Sequence, residues 1–90
     1  MVYDFNTGLP IRAYVSEGTQ QLIVNLGVGQ PGRYNLALYN LLGQQVHSEA
    51  FTKPTSVLTQ RVNVSALPAG VYVVRIEATG TDYRQKVVKR

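Results

Sequence analysis

A general base or a zinc ligand in this chain would have to be His47, its one histidine, set in the run Gln44-Gln45-Val46-His47-Ser48-Glu49. Glu49 follows at the spacing at which a strand brings two side chains to one face, so a proton could be shared between imidazole and carboxylate. The neighbours Gln45 and Glu49 are both polar, however, which places His47 on a solvated face as an ordinary surface histidine. No further ligand clusters near it, and the chain has no cysteine, so zinc and thiolate sites have no donor set. The acids Asp4, Glu17, Glu49, Glu77 and Asp82 do not form the alternating Asp/Asn pattern closed by Glu that holds Ca²⁺. Gly27-Val28-Gly29 and Gly32 suggest a phosphate loop by composition, but no helix follows to present its N-terminus to an anion, and the segment reads as a turn. The expectation is no catalytic residue, no metal and no cofactor: not an enzyme.

What remains is charge. Residues 84–90, Arg84-Gln85-Lys86-Val87-Val88-Lys89-Arg90, hold four basic side chains and no acid, and the formal net charge is +4. The other five basic residues, Arg12, Arg33, Lys53, Arg61 and Arg75, balance the five acids, so the excess sits wholly in this tail. Scattered, compensated cations elsewhere and only two tyrosines off the core register, Tyr14 and Tyr39, do not make a nucleic-acid footprint. As a strand, the tail places Arg84, Lys86, Val88 and Arg90 on one face and Gln85, Val87 and Lys89 on the other. Such a strand either protects a sheet edge from aggregation or presents its charges to a partner.

The elements that must position these residues are strands. Alternating apolar residues come in short stretches punctuated by Gly, Pro, Asn and Ser, and no stretch keeps a helical period. Seven strands are expected, at residues 10–16, 20–27, 33–40, 44–51, 56–64, 71–78 and 82–89, giving an all-β antiparallel sandwich of two sheets. Its core faces carry Leu22, Val24, Leu26, Tyr34, Leu36, Leu38, Leu58, Val62, Val64, Tyr72, Val74 and Ile76, with Arg75 and Glu77 turned outward. Asn40-Leu41-Leu42-Gly43 closes a hairpin with Gly43 at positive φ, and Leu67-Pro68-Ala69-Gly70 fits a type I turn. No internal repeat stands out. Residues 1–9 read as a linker or the end of an upstream region, and residues 10–90 as one domain. The N-terminus lacks the pattern of a secretory signal, and no apolar run is long enough for a membrane-spanning helix.

Three blocks resemble a known family. They are Gly32-Arg33-Tyr34-Asn35-Leu36-Ala37-Leu38-Tyr39-Asn40-Leu41-Leu42-Gly43-Gln44-Gln45-Val46, Leu67-Pro68-Ala69-Gly70-Val71-Tyr72-Val73-Val74-Arg75-Ile76, and Gln85-Lys86-Val87-Val88-Lys89-Arg90. In this order they are similar to the C-terminal sorting domain of type IX secretion substrates in Bacteroidetes. The resemblance implies a seven-stranded immunoglobulin-like β-sandwich that carries an upstream, covalently continuous cargo from the periplasm across the outer membrane to the cell surface or the medium. It implies as partners the type IX translocon, an outer-membrane shuttle protein and a sortase-like cysteine protease that removes the domain. Lys86, Val87, Val88, Lys89 and Arg90 match the block tied to recognition by the machinery; Gly43, Pro68, Gly70 and Tyr72 match structural motif positions. The opening Tyr-Pro-Asn-Pro-like segment of many members is replaced by Gly8-Leu9-Pro10-Ile11. That difference favours, as the alternative, a retained immunoglobulin-like binding or adhesive domain of a surface or secretion-machinery protein. Deleting residues 86–90 is expected to block export while leaving the domain folded, and Gly70→Val to act through the turn.

Overall fold

Eight strands form in the computed structural model, which describes residues 2–4, 9–16 and 18–90. They are β1 (Val2–Asp4), β2 (Leu9–Ser16), β3 (Gln21–Leu26), β4 (Gly32–Asn40), β5 (Gln45–Lys53), β6 (Leu58–Asn63), β7 (Gly70–Ala78) and β8 (Thr81–Lys89). The seven expected strands correspond to β2 through β8. The addition, β1, lies within residues 1–9 and pairs its backbone with the start of β2.

One sheet has the order β1-β2-β3-β6 and the other β5-β4-β7-β8, with every pairing antiparallel. The chain changes sheet after β3, after β5 and after β6, so β6 returns beside β3 and β7 beside β4. These crossings give the two-sheet, Greek-key arrangement of an immunoglobulin-like sandwich. The facing sides bury Ile11, Leu22, Val24, Leu26, Tyr34, Leu36, Leu38, Val62, Val64, Tyr72, Val74 and Ile76, joined by Tyr83 and Val87 from β8. Of the expected core, only Leu58 is half-buried, because it sits on edge strand β6, where the inner face reaches the rim.

A corner at the start of β7 secures this packing. The Tyr72 hydroxyl donates to the Pro68 carbonyl at 2.5 Å, the tyrosine corner found where immunoglobulin-like sandwiches turn into this strand. The same device occurs at the start of β4, where the fully buried Tyr34 donates to the Gln30 carbonyl at 2.8 Å and stacks on Phe51 at 5.7 Å. The correspondence extends to the partner strands. Gly32 pairs with Lys53 and Gly70 with Lys89, and each lysine is buried with its ammonium on the carbonyl three residues before its paired glycine, Gly29 at 3.5 Å and Leu67 at 2.6 Å. Hairpins β4–β5 and β7–β8 are therefore a structural repeat that sequence reading missed, related by an approximate two-fold axis between antiparallel β4 and β7. The signal was present as Gly-x-Tyr followed, across a hairpin, by lysine.

The two tyrosine corners lie at opposite ends, since Tyr72 pairs with Asn40, six residues along β4 from Tyr34, or about 20 Å at 3.3 to 3.4 Å per residue. Tyr34→Phe and Tyr72→Phe are each expected to cost about 1 kcal/mol by leaving a carbonyl without its donor. Their costs should add to within about 0.5 kcal/mol in urea unfolding, as for independent sites. A large coupling energy would contradict two separate corners.

Candidate recognition site

The residues singled out from sequence converge on one end of the sheet that holds β7 and β8. Asn40 is opposite Tyr72 and Gly70 is opposite Lys89, so the 40–44 turn, the 64–70 connection and the end of β8 meet there. None of the segments 40–44, 64–70 and 84–90 contains an acid.

The 40–44 turn is rigidly built. Asn40 exchanges backbone hydrogen bonds with Gln44 and Gly43, its side-chain oxygen accepts from the amides of Leu42 at 2.9 Å and Gln44 at 3.0 Å, and its amide donates to the Gln44 side chain at 2.8 Å. Gly43 takes φ +83°, the left-handed conformation expected of it. The turn leaves Leu41 and Leu42 exposed.

The expected type I turn at Leu67-Pro68-Ala69-Gly70 is not formed. The hydrogen-bonded turn lies earlier, with the Leu67 amide donating to the Val64 carbonyl at 3.0 Å, and residues 67–70 form an open bend. Lys89 takes the Leu67 carbonyl that a turn would have used, and Tyr72 takes the next one, that of Pro68. Gly70 enters β7 at φ +155°, with no atom within 4 Å of the position a Cβ would occupy. A residue larger than glycine there is resisted by backbone conformation and not by crowding.

Along β8 the period of two holds. Arg84, Lys86, Val88 and Arg90 are exposed, whereas Tyr83, Val87 and Lys89 are buried. Of the five tail residues, Val87 and Lys89 therefore build the sandwich and Lys86, Val88 and Arg90 face out. The expectation that removing residues 86–90 spares the fold does not survive this division, because the deletion takes out a core valine and the lysine on Leu67.

β8 is an edge strand, and Gln85 closes part of that edge. Its side-chain amide donates to the Ala13 carbonyl at 2.7 Å and accepts from the Ala13 amide at 3.2 Å, matching both backbone groups of β2 as a paired strand would. The Tyr83 hydroxyl donates to the same Gln85 oxygen. Nearer the hairpin, Arg75 is compensated by Glu77 at 3.0 Å and Asp82 at 3.2 Å, whereas Arg84 is exposed and lies a looser 3.6 Å from Asp82. The hydrogen bond from Arg75, with the charges of Arg75 and Arg84, holds the Asp82 carboxyl below its ordinary range.

The family model described as "Secretion system C-terminal sorting domain" matches residues 18–90, which spans both corners, the 40–44 turn and the whole of β8. The chain belongs to the type IX secretion sorting family. A sorting domain of this kind directs its protein to the cell surface or the extracellular space, and the sorting-domain family is not a family of enzymes.

His47 sits differently in the sorting domain from its expected place. The register shifts between Leu38 and Tyr39, which pair with His47 and Gln45, so Val46 is an inserted bulge residue packed against the core. The bulge reverses the alternation and turns His47 and Glu49 to the inner rim. There His47 Nε2 lies 2.8 Å from Glu49 Oε1, and the Gln60 amide donates to Glu49 Oε2 at 2.6 Å, linking β5 to the opposite sheet. Among the described residues, no group of three or more His, Cys, Asp or Glu comes together that could hold a metal ion.

Proposed function

We propose that the outward row of β8, Lys86 and Val88, continued by Arg90 just past its end, is what the outer-membrane type IX machinery reads when this sorting domain delivers an upstream, covalently attached cargo. The carrying observation is the alternation in β8, which leaves these side chains exposed while Val87 and Lys89 are committed to the core. A translocon that accepts unrelated cargoes must recognise the module they share, and a fixed strand offers its charges in one geometry at little ordering cost. Charge complementarity speeds encounter with an acidic shuttle or translocon partner. Passage through the periplasm and removal by a sortase-like protease at the surface complete this reading, on the family resemblance alone.

The test is export of a reporter fused upstream of the domain in a type IX-competent host. Lys86→Glu with Arg90→Glu should leave the melting temperature within a few degrees of the parent, as exposed substitutions do. The same pair should cut surface delivery by about tenfold or more, the scale of 1.4 kcal/mol at a recognition step. Undiminished export of a folded, charge-reversed domain would refute the assignment.

A further inference from the structure

At the end that carries the 40–44 turn, the outer face of the β5-β4-β7-β8 sheet holds apolar residues where water-facing strands are ordinarily polar. Cross-strand pairing lines up Tyr39, Val73 and Lys86, and in the next row Val71 beside Val88. Tyr39, Val71 and Val73 are half-buried and Val88 is exposed. The 40–44 turn borders, at the end of these rows, an open concave site of about 430 Å³ lined by Tyr39, Asn40, Leu41, Gly43, Val73, Arg75 and Arg84.

We propose that this concavity docks an acidic polypeptide segment, seating one apolar side chain against Tyr39, Leu41 and Val73 while flanking carboxylates meet Arg84 and Lys86. The volume is near the lower end for a small-molecule pocket, which suits one or two side chains. Charge fixes both the occupant and its direction. Glu77 and Asp82 occupy the row beyond Arg75 and Arg84, so carboxylates are repelled from that end and drawn toward Lys86 and the end of β8. A second copy of the chain is disfavoured, because an isologous contact would bring two cationic β8 rows together. A planar lipid surface would not fill a concavity. The inference deepens the export reading, on which it rests for the source of the segment; the surface itself is tested without export.

The probe is a capped synthetic octapeptide of Asp and Glu surrounding one Leu and one Phe, titrated into the isotope-labelled 90-residue chain. Amide shifts should cluster at residues 39–43, 71–73 and 84–88. Arg84→Glu and Lys86→Glu should each weaken binding about tenfold, in a salt-dependent manner. Val73→Thr, which keeps the β-branched shape, should weaken it about fivefold by removing apolar contact at the centre. Binding that maps to the groove between β2 and β8, indifference to Arg84→Glu, or these shifts on adding phosphatidylglycerol vesicles but not peptide would each overturn the proposal. Failed export of Lys86→Glu with Arg90→Glu, together with no peptide binding, would remove the docking face and keep the tail. Peptide binding with normal export would do the reverse.

Discussion

Lys89→Ala should lower the stability of the domain by about 2 to 4 kcal/mol, whereas Lys86→Ala, three residues away in the same basic tail, should change it by less than about 0.5 kcal/mol. The difference follows from which way each side chain points. Lys89 is 8% exposed, it lines one small apolar cavity with Val15, Leu22, Leu67, Tyr72 and Val87, and its ammonium donates to the Leu67 carbonyl at 2.6 Å. Alanine removes a charge-assisted hydrogen bond of about 1.5 to 3 kcal/mol and several methylenes at about 0.8 kcal/mol each, softened by partial hydration of the freed carbonyl. For a domain of this size the loss lowers the melting temperature by roughly 10 to 20 °C. Lys89→Met keeps the stem and should recover part of the loss, which isolates the ammonium. Export of Lys89→Ala should fail at temperatures where the domain melts and recover on cooling, while Lys86→Glu with Arg90→Glu should fail at all temperatures. A Lys89→Ala domain that melts like the parent would show that the ammonium on Leu67 adds nothing to the corner.

Much of this was legible because a strand has one simple rule. Period two separated Lys86, Val88 and Arg90 from Val87 and Lys89, and it placed Tyr34, Leu36, Leu38, Tyr72, Val74 and Ile76 on core faces. The rule broke at His47 because one inserted residue, Val46, shifts the register, and nothing in Gln45-Val46-His47 distinguishes a bulge from plain alternation. It was silent on the two buried lysines for a different reason. Lysine ordinarily keeps its head in water, and the carbonyls that make burial tolerable include ones distant in sequence, Leu67 for Lys89 and Gly29 for Lys53, the latter joined by the neighbouring Pro54 and Ser56. Those partners become visible only once Gly32 is set against Lys53 and Gly70 against Lys89. The type I turn at residues 67–70 failed for the same cause, since local residue preferences suited it and a lysine from another strand claimed its carbonyl. Convergence of the 40–44 turn with the tail likewise depends on Asn40 lying opposite Tyr72, a pairing of distant residues.

Lys53→Ala should cost about 2 to 4 kcal/mol, and the contribution of Lys53 should vary with pH in a direction set by its burial. Lys53 is 1% exposed, and its ammonium reaches the carbonyls of Pro54 at 2.9 Å, Ser56 at 3.2 Å and Gly29 at 3.5 Å. It thereby fastens the loop after β3 to the loop after β5, assisted by the Gly29 amide on the Thr55 carbonyl. Its partners are carbonyls and not carboxylates, so desolvation pushes its pKa below the ordinary value of 10.5. Below the depressed folded value the charging penalty is fully present. Between that value and 10.5 the unfolded chain binds more protons than the folded one, and stability rises with pH. Tyr34 and Tyr83 act oppositely, because burial raises both above the ordinary 10.0: above that pH unfolded tyrosines ionise while the folded ones resist, and stability falls. Lys53→Met keeps the stem and leaves both tyrosines in place, so subtracting its stability from that of the parent isolates the amine. In urea unfolding from pH 7 to 10.5, the parent should gain on Lys53→Met as pH climbs, even while both lose stability at the alkaline end. A pH-independent difference would mean that the Lys53 ammonium pays no desolvation cost, and its role as a buried cation tying two loops together would fall with that result.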